Sequence, residues 1–317
     1  ILTFASFGSR WGVRETYEGP LDGPPRILVR EQLFSPIPEG TYRALRGHFQ
    51  GRADVVPRYW VAPSAKQAQA AIQSNQSHEM LLATADLSGK VRMEAAMGVD
   101  PRDLSHQPAL ARMLSILELT DEEIELNARR REAGEPELTN RELAGRRLEA
   151  GGCFLTDAVA RELELGAEDI GRPLVLHNQR VTFAGLIQKA MSGHSTLDGT
   201  PIRPVNYQTS AGGSRDALKE TTSESLVESQ DVKSAQCVHY PLDSVAVIPA
   251  AVAAQMGDPQ IASKIASLTV YPRDSADVQE VAELTASMAK LPTYAGQRGG
   301  VQRMLFTSLT EASGVRD

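Results

Sequence analysis

Apolar residues near the N-terminus follow first a strand-like and then a helix-like period. Apolar and polar side chains alternate over residues 26–34, which predicts a β-strand. Tyr42, Leu45 and Phe49 then recur at helical spacing, and residues 53–62 form a β-branched and aromatic run that predicts a second strand. The pattern therefore predicts a β-α-β unit at the start of the chain.

The C-terminal third repeats this order of elements. An apolar run at residues 245–249 predicts a buried strand, and Pro249 suits the first turn of a helix at residues 250–256. A further strand is predicted at residues 261–271, and a longer helix at residues 274–291. The apolar positions of this helix recur at three- and four-residue steps: Val278, Val281, Leu284, Met288 and Leu291.

The middle of the chain predicts a hairpin and then several short helices. Strand-like runs at residues 79–85 and 90–99 flank a Leu-Ser-Gly turn. Helices are predicted at residues 108–117, at residues 120–131 behind a capping-box pattern, and at residues 140–148.

Residues 121–147 mix acidic and basic side chains at helical spacing. Such a mixture is typical of a solvent-exposed helix face, which is the interpretation that we favour. The alternative is an arm that docks on a partner protein.

Residues 155–186 carry the clearest local signals in the chain. Thr156 is placed to cap a short helix and Gly166 to end it. Two β-prone runs, at residues 174–176 and 181–183, then flank a polar turn. A short helix, a turn and a β-hairpin are predicted, and none of these residues indicates catalysis.

The two β-α-β units are separated by a long segment of different character. A polar stretch at about residues 192–234 predicts a long loop or a partly disordered insertion. We therefore predict an α+β fold in which residues 1–98 and 240–317 form one domain. Residues 99–239 are predicted to form a second, inserted domain that carries the polar loop.

Charge and hydropathy narrow the classes of function. The chain has 317 residues and a formal net charge of -7, and it lacks the basic run of a nucleic-acid binder. No run approaches the ~20 apolar residues that a membrane span needs. Apolar stubs at residues 1–7 and 304–309 indicate either a segment cut from between two membrane helices or ordinary terminal segments docked on the core.

Motifs of common catalytic sites are absent or incomplete. The loop Gly-x-x-x-x-Gly-Lys-Ser/Thr and the elbow Gly-x-Ser-x-Gly do not occur. His78 and Glu79 begin a zinc-protease pattern, but Leu82 stands where the second histidine is required. Ser287 and Lys290 match Ser-x-x-Lys without its companion motifs, so we expect an exposed helix face there. We predict that the chain is not an enzyme and has no catalytic, cofactor-binding or metal-binding residues.

The cysteines leave two interpretations open. Cys153 and Cys237 are either two separate buried thiols or one disulfide formed in an oxidising compartment. Cys153 could also act as a nucleophile with His239 as its base, although no spacing in the sequence brings them together.

Several segments, taken in order, resemble a known family. They are Gly98-Val99-Asp100-Pro101, the block at residues 155–186, the strand at residues 245–249, and Leu268-Thr269-Val270 with the helix at residues 274–291. This order resembles the extracytoplasmic domain of FtsX-like ABC-transporter permeases of the macrolide-exporter type. The charged section near residues 120–150 and the polar stretch at residues 192–234 depart from the family pattern.

The resemblance implies a fold, a location and a set of partners. It implies a membrane-proximal, porter-like β-α-β subdomain that is split in sequence by an inserted, more β-rich subdomain. The domain would lie at the periplasmic face of the inner membrane, between the first and second of four membrane helices of a membrane-embedded protein. The family works as dimers, so a homodimer or heterodimer is expected, together with a cytoplasmic ABC ATPase subunit.

The same resemblance implies a non-catalytic function without a cofactor. The domain would bind a substrate or a partner, such as a periplasmic adaptor or a lipoprotein. It would relay motion driven by cytoplasmic ATP hydrolysis, for export or for lipoprotein release.

Two other functions stay open on the residues alone. One is a secreted hydrolase with an unrecognised site, for which Cys153 near His239 would be evidence. The other is a stand-alone extracytoplasmic binding domain, for which a cleaved signal peptide and a free C-terminus would be evidence.

Overall fold

The computed structural model describes most of the chain between residues 26 and 307. The described residues are 26–31, 36–64, 67, 70, 73, 80–196, 200–207, 238–258, 261–274, 277–289 and 303–307. The predicted stub at residues 1–7, His78, Cys237 and most of the predicted polar loop at residues 192–234 lie outside the described residues.

Twelve β-strands lie in the described part of the chain. They are β1 (Ile27–Glu31), β2 (Ala53–Ala62), β3 (Met80–Thr84), β4 (Lys90–Met93), β5 (Ala95–Val99), β6 (Leu114–Ser115), β7 (Gly152–Thr156), β8 (Pro173–Leu176), β9 (Gln179–Ile187), β10 (Val245–Pro249), β11 (Ala262–Pro272) and β12 (Arg303–Thr307). The two longest, β2 and β11, have 10 and 11 residues and pair antiparallel along almost their whole length.

Eight α-helices have defined bounds within the described residues. They are α1 (Glu39–His48), α2 (Pro101–His106), α3 (Pro108–Arg112), α4 (Asp121–Glu132), α5 (Asn140–Glu149), α6 (Asp157–Glu162), α7 (Ala250–Ala253) and α8 (Val278–Ala289). Among the residues that the structure describes, no helix has the length and hydrophobicity needed to cross a membrane.

All twelve of these strands belong to one mixed sheet. Its order is β12-β1-β11-β2-β5-β10-β7-β9-β8-β3-β4, and the short strand β6 pairs with β9. Most neighbouring strands are antiparallel, whereas β5 with β10 and β7 with β9 are parallel. The predicted α+β class is therefore confirmed.

Hydrophobic cores lie on both faces of the sheet. In β10, Val245 and Val247 belong to one buried cluster, whereas Ala246 and Ile248 belong to another. Successive side chains of a strand point to opposite faces, so β10 contributes to a core on each side. This explains why residues 245–249 form an unbroken apolar run rather than an alternating one.

The predicted N-terminal β-α-β unit is present as β1, α1 and β2. Its two strands are not neighbours, because β11 lies between them in the sheet. Ile27 of β1 pairs with Val270 of β11, and Ala53 of β2 pairs with Pro272 of β11. The N-terminal and C-terminal parts of the chain therefore build adjacent strands.

The sheet is continuous across the domain boundary that the sequence predicts at residue 98. The hairpin β3–β4 precedes that boundary, yet Leu82 of β3 pairs with Leu176 of β8, which lies in the predicted insertion. The division into residues 1–98 with 240–317, and residues 99–239, stays a prediction.

The helix, turn and hairpin predicted at residues 155–186 are present as α6, β8 and β9. Thr156 lies at the N-cap position of α6, as predicted, but its hydroxyl is buried and makes no capping hydrogen bond. The predicted stop at Gly166 is wrong, because α6 ends at Glu162 and the left-handed residue after it is Glu164, with φ of 54°. The sequence also did not predict β7, which precedes α6 directly and pairs parallel with β9.

The helix predicted at residues 108–117 is shorter than expected. It ends at Arg112, and Leu114 pairs instead with Ile187 of β9. A close approach of backbones makes this possible, because Gly185 has φ of 147° and a Cβ there would lie 2.3 Å from the carbonyl oxygen of Ser115. Strand pairing with a distant segment thus replaces the last helical turns.

The charged section at residues 121–147 is exposed over much of its length but not at its ends. Glu123 at the start of α4 and Arg147 near the end of α5 are both buried. The predicted solvent-exposed face therefore describes most of this section but not these two residues. Arg147 binds the Glu123 carboxylate through two nitrogen–oxygen contacts of 2.9 and 2.7 Å. It also donates to the carbonyl oxygens of Ala184 and Glu118 at 2.6 and 2.5 Å, so this ion pair attaches α4 and α5 to the sheet.

Gly98 marks the tightest packing between β5 and its neighbours. A Cβ at this position would lie 2.4 Å from the Cβ of Ala253 and 2.9 Å from the Cβ of Tyr59. We expect Gly98→Ala to lower the free energy of unfolding by about 1–3 kcal/mol, because the core cannot expand without strain. Urea unfolding followed by circular dichroism measures this change.

Gly145→Ala is the matched control for Gly98→Ala. Gly145 lies in α5, and a Cβ there would have no atom within 4 Å. The control should be neutral or stabilise by about 0.5–1 kcal/mol, since alanine favours a helix interior. Equal effects of the two substitutions would contradict the packing at Gly98.

Arg147→Lys tests the buried ion pair between α4 and α5. Lysine keeps the charge but cannot reach the Glu123 carboxylate and two carbonyl oxygens with one planar fork. We expect a loss of about 1–3 kcal/mol in unfolding free energy, because buried acceptors lose their donors. Arg146→Lys, at the exposed neighbouring position, should change stability by less than about 0.5 kcal/mol. A similar effect for both would show that Arg147 is not buried in this way.

Candidate functional site

Both ends of the described chain lie at one end of the sheet. Ile27, the first residue of β1, pairs with Thr307, the last residue of β12. Ile27 also pairs with Val270 close to the end of β11, and Ala53 at the start of β2 pairs with Pro272 at the end of β11. We call the edge formed by these four strand ends the terminal face.

A buried ion pair joins β2 to α2. Arg58 of β2 and Asp103 of α2 are only 4% and 2% exposed, and a guanidinium nitrogen lies 2.5 Å from one carboxylate oxygen. The other oxygen of Asp103 accepts hydrogen bonds from Gln107 at 2.7 Å and from the Tyr271 hydroxyl at 2.5 Å. Because Tyr271 belongs to β11, Asp103 holds α2 against the two longest strands of the sheet.

Further contacts lead from this ion pair to the surface at the terminal face. The ring of His106 stacks on Tyr271 with a centroid distance of 4.1 Å and an interplanar angle of 16°. Nε2 of His106 lies 3.1 Å from one carboxylate oxygen of Asp54, and the other oxygen accepts a hydrogen bond from Arg273 at 3.3 Å. We call this series of contacts the polar chain: Arg58, Asp103, Tyr271, His106, Asp54 and Arg273.

The protonation states of the buried part follow from its contacts. Burial acts to raise the pKa of Asp103, but the charge of Arg58 and the hydrogen bonds from Tyr271, Arg58 and Gln107 outweigh it and lower the pKa. Burial and the neighbouring Asp103 carboxylate raise the pKa of Tyr271 well above its usual value. Asp103 is therefore charged and Tyr271 protonated at neutral pH, which suits a structural link rather than proton transfer.

An open groove of about 440 Å³ lies at the terminal face beside α1. Its charged lining residues are Arg43, Arg46, Arg102, Arg273 and Asp54. Arginine is favoured near the C-terminal end of a helix, which accounts for Arg46 in the last turn of α1. Four guanidinium groups and one carboxylate make this arginine groove electropositive, although the chain as a whole is acidic.

The structure does not bring together Cys153 and His239, which the sequence analysis named as a candidate nucleophile and base. Cys153 is a free, buried thiol, and burial raises its pKa to about 12, which disfavours the reactive thiolate. His239 is bonded through Nδ1 to the carbonyl oxygen of Arg203 at 2.6 Å and meets the ring of Trp60 edge-on. Cys153 and Trp60 belong to the cores on opposite faces of the sheet, so the pair cannot act as nucleophile and base.

The remaining sequence candidates give no site. Ser287 is exposed on α8, as predicted, while Lys290, His78 and Cys237 lie outside the described residues. Within the described part of the chain, no group of three or more histidine, cysteine, aspartate or glutamate side chains could hold a metal ion. The free thiol of Cys153 contradicts the alternative of a Cys153–Cys237 disulfide that the sequence left open.

Sequence reasoning did not single out the residues of the polar chain and of the arginine groove. One signal for the buried pair was present: Arg58 is a charged residue in the middle of a strand whose other residues are nearly all apolar. A buried charge requires a partner, but nothing local identifies Asp103 as that partner. The arginines of the groove come from three separate segments, so no run in the sequence reveals them.

No protein-family model matches the chain, and no curated protein matches it. Three solved structures are similar to it over most of its length. The periplasmic region of MacB from Actinobacillus actinomycetemcomitans has 9% sequence identity and a TM-score of 0.40, and the match covers 93% of this chain and 92% of that one. The extracellular domain of the noncanonic ABC-type transporter YknZ from Gram-positive bacteria has 11% identity and a TM-score of 0.37, with coverage of 88% and 99%.

The third structure is a domain of a permease protein from Porphyromonas gingivalis. It has 11% identity and a TM-score of 0.39, with coverage of 90% of this chain and 91% of that one.

The buried pair predicts a specific pH dependence of stability. Asp103→Asn should lower the free energy of unfolding at pH 7 by about 3–5 kcal/mol, because Arg58 is left as an unpaired buried charge. The folded-state pKa of Asp103 is lowered, so the charged carboxylate contributes stability above its unfolded pKa of about 3.9. That contribution is lost as the pH falls from there through the folded-state pKa, so the difference between native and variant proteins should shrink over this range.

Urea unfolding of both proteins from pH 7 down to about pH 2, which extends below the unfolded pKa, measures this difference. Asp157→Asn is the control, because Asp157 forms an exposed ion pair with Arg161 one helical turn away. It should change stability by less than about 1 kcal/mol. An Asp103→Asn effect that is equally small, or that does not vary with pH, would contradict the ion pair.

Proposed function

We propose that this chain is the extracytoplasmic domain of an ABC-transporter permease and that it relays motion driven by ATP hydrolysis in a cytoplasmic ABC ATPase subunit. The observation that supports this most directly is the pairing of Ile27 with Thr307 at the terminal face. The chain enters and leaves the described fold at one place, as a domain inserted between two consecutive membrane helices must do.

The distances involved are suited to two adjacent helices. Neighbouring strands lie about 4.8 Å apart, and an α-helix with its side chains is about 10 Å across. The 26 residues before Ile27 and the ten residues after Thr307 provide more than enough length to reach two packed membrane helices. The terminal face would then lie towards the membrane, with the hairpin β3–β4 at the opposite edge of the sheet order.

The hydrogen-bonded sheet offers a physical route for motion. Each strand from β12 to β4 is bonded to the next, so a displacement of β1 and β12 would move their neighbours as well. The polar chain strengthens this route near the membrane, because Asp103 holds β2, β11 and α2 together. The expected role is the binding of a substrate or partner and the transmission of force, for export or lipoprotein release.

The proposal extends to assembly and location. The full-length protein would be embedded in the inner membrane, with this domain on the periplasmic face. It would act as a homodimer or heterodimer, with a periplasmic adaptor or a lipoprotein as its partner. The alternative of a secreted hydrolase is weakened by the burial of Cys153 and by its separation from His239.

Cysteine labelling of the full-length protein in intact cells tests the location. Ala44→Cys on α1 and Glu132→Cys on α4 are exposed positions in different parts of the fold. With all native cysteines replaced, both should react with a membrane-impermeant maleimide added outside the inner membrane. Cysteines placed in the segments predicted to follow the second flanking helix should react only after lysis.

Labelling before and after ATP binding then tests the relay. Spin labels attached at Glu132→Cys in each copy of the dimer should be separated by different distances in the nucleotide-free and ATP-bound states of the assembled transporter.

Membrane extraction is a control for the location of the protein, because a domain held by membrane helices stays in the membrane fraction at high salt. A free protein in the soluble fraction would support the stand-alone binding domain instead.

A further inference from the structure

The arginine groove is a charged site to which the proposed relay assigns no ligand. Two of its guanidinium groups come from consecutive turns of α1, at Arg43 and Arg46. Arg102 begins α2 after β5, and Arg273 follows β11. The groove therefore collects cationic side chains from separate segments at one place on the terminal face.

The arginines differ in how far their charge is already neutralised. Arg102 makes two hydrogen bonds to Asp100, at 3.0 and 2.6 Å, and is held firmly. Arg43 meets Glu39 at 3.4 Å in an exposed pair, which contributes little free energy. Such a loose contact leaves the guanidinium group of Arg43 able to bind another anion.

The guanidinium groups of Arg46 and Arg273 are the most available to bind an anion. Arg46 is exposed, and its described contact is a hydrogen bond of 3.5 Å to the neutral hydroxyl of Tyr42. Arg273 is 60% exposed and shares the carboxylate of Asp54 at 3.3 Å. Hydrogen bonds from His106 and Arg273 outweigh the effect of burial and lower the pKa of Asp54, so this carboxylate is anionic and competes for the groove.

We propose that the arginine groove binds the phosphate of an anionic lipid headgroup in the membrane at the terminal face. Guanidinium groups bind phosphate oxygens through pairs of parallel hydrogen bonds. The groove has four guanidinium groups and one lining carboxylate, so N–H donors remain available for a phosphate. The volume of about 440 Å³ is within the range of pockets that hold small ligands. The occupant is a lipid because the terminal face carries the first residue of β1 and the last residue of β12, which under the proposed function is the membrane side.

The overall charge of the protein makes a local cationic site necessary for such contact. A chain with a formal net charge of -7 is repelled by an anionic membrane surface as a whole. Binding must then depend on the few cations that face the lipid, within a Debye length of about 8–10 Å. This inference rests on the proposed function for the direction of the membrane, whereas the phosphate chemistry of the groove stands independently.

Flotation of the 317-residue chain with lipid vesicles provides the test. Vesicles of phosphatidylcholine alone are compared with vesicles that also contain phosphatidylglycerol. We expect binding only to the anionic vesicles, and a loss of roughly 10- to 30-fold in the partition coefficient for the double variant Arg43→Gln/Arg46→Gln. Binding should also weaken with added salt.

A matched control removes the same charge elsewhere. Arg129 and Arg131 are exposed on α4, outside the groove, and Arg129 forms an i,i+4 ion pair with Glu125 as Arg43 does with Glu39. The double variant Arg129→Gln/Arg131→Gln should bind anionic vesicles about as well as the native chain. Equal losses for the two double variants would overturn the proposal, because net charge alone would then explain binding.

One substitution should change binding in the opposite direction. Asp54→Asn removes the anion that competes for Arg273, so we expect binding to anionic vesicles to increase about two- to fivefold. The gain should be confined to the anionic vesicles, whereas unfolding that exposes apolar surface would also increase binding to vesicles of phosphatidylcholine alone. No change, or a loss with circular dichroism unaltered, would contradict the role assigned to the groove.

Further outcomes distinguish a lipid headgroup from free phosphate, and the groove proposal from the proposed function. Titration with inorganic phosphate, followed by NMR, identifies the source of the anion: binding of free phosphate without binding to anionic vesicles would overturn the lipid assignment. Vesicle binding that requires the groove, combined with failure of the labelling test for flanking membrane helices, would leave a peripheral lipid-binding protein and refute only the proposed function. Labelling that succeeds without vesicle binding would refute only the groove proposal.

Discussion

The buried ion pair between Arg58 and Asp103 is the contact on which the arrangement near the terminal face depends. Two charges in an apolar interior are tolerated only when each is paired and hydrogen-bonded. Asp103 meets this condition with partners on β2, at the end of α2 and on β11. Its position fixes α2 against the sheet, and α2 in turn places His106 beside Asp54 at the surface.

The sheet around this contact is covered on both faces. This explains the apolar composition of its strands and the positions where only glycine fits. Strands with a core on each side need apolar residues in unbroken runs, as in β10. Where a helix must approach such a strand closely, only a side chain as small as hydrogen fits, as at Gly98 beneath Ala253. A continuous sheet that is packed in this way connects the elements through which the proposed relay would act.

The terminal face joins the mechanical and the chemical parts of this interpretation. The strand ends at Ile27 and Thr307 would connect the domain to the membrane helices, and the arginine groove beside them would contact the headgroups. Asp54 belongs to both parts, since it ends the polar chain that begins at the buried pair and also competes for Arg273. Lipid binding at the groove would therefore change the contacts of Asp54, and through the polar chain those of β2 and β11, without any catalytic residue.

The sequence by itself determined the kinds of elements and their order. The helix, turn and hairpin within residues 155–186 were predictable, because spacing and turn residues act over only a few positions. The same holds for the β1-α1-β2 order and for the buried character of β10. The proposed class of domain depends on resemblance, since no residue pattern here requires a particular chemistry.

Tertiary structure decided the pairing of the elements and the burial of the charges. The pair Arg58–Asp103 spans 45 residues in sequence, and the bond from Tyr271 to Asp103 spans 168. No local period records such distances, so the ion pair, the short strand β6 and the parallel strand β7 were all missed. The burial of Glu123 and Arg147 inside a section of mixed charge was missed for the same reason. A charged residue on a helix shows its period in the sequence, but only the packed fold determines whether water or another side chain meets it.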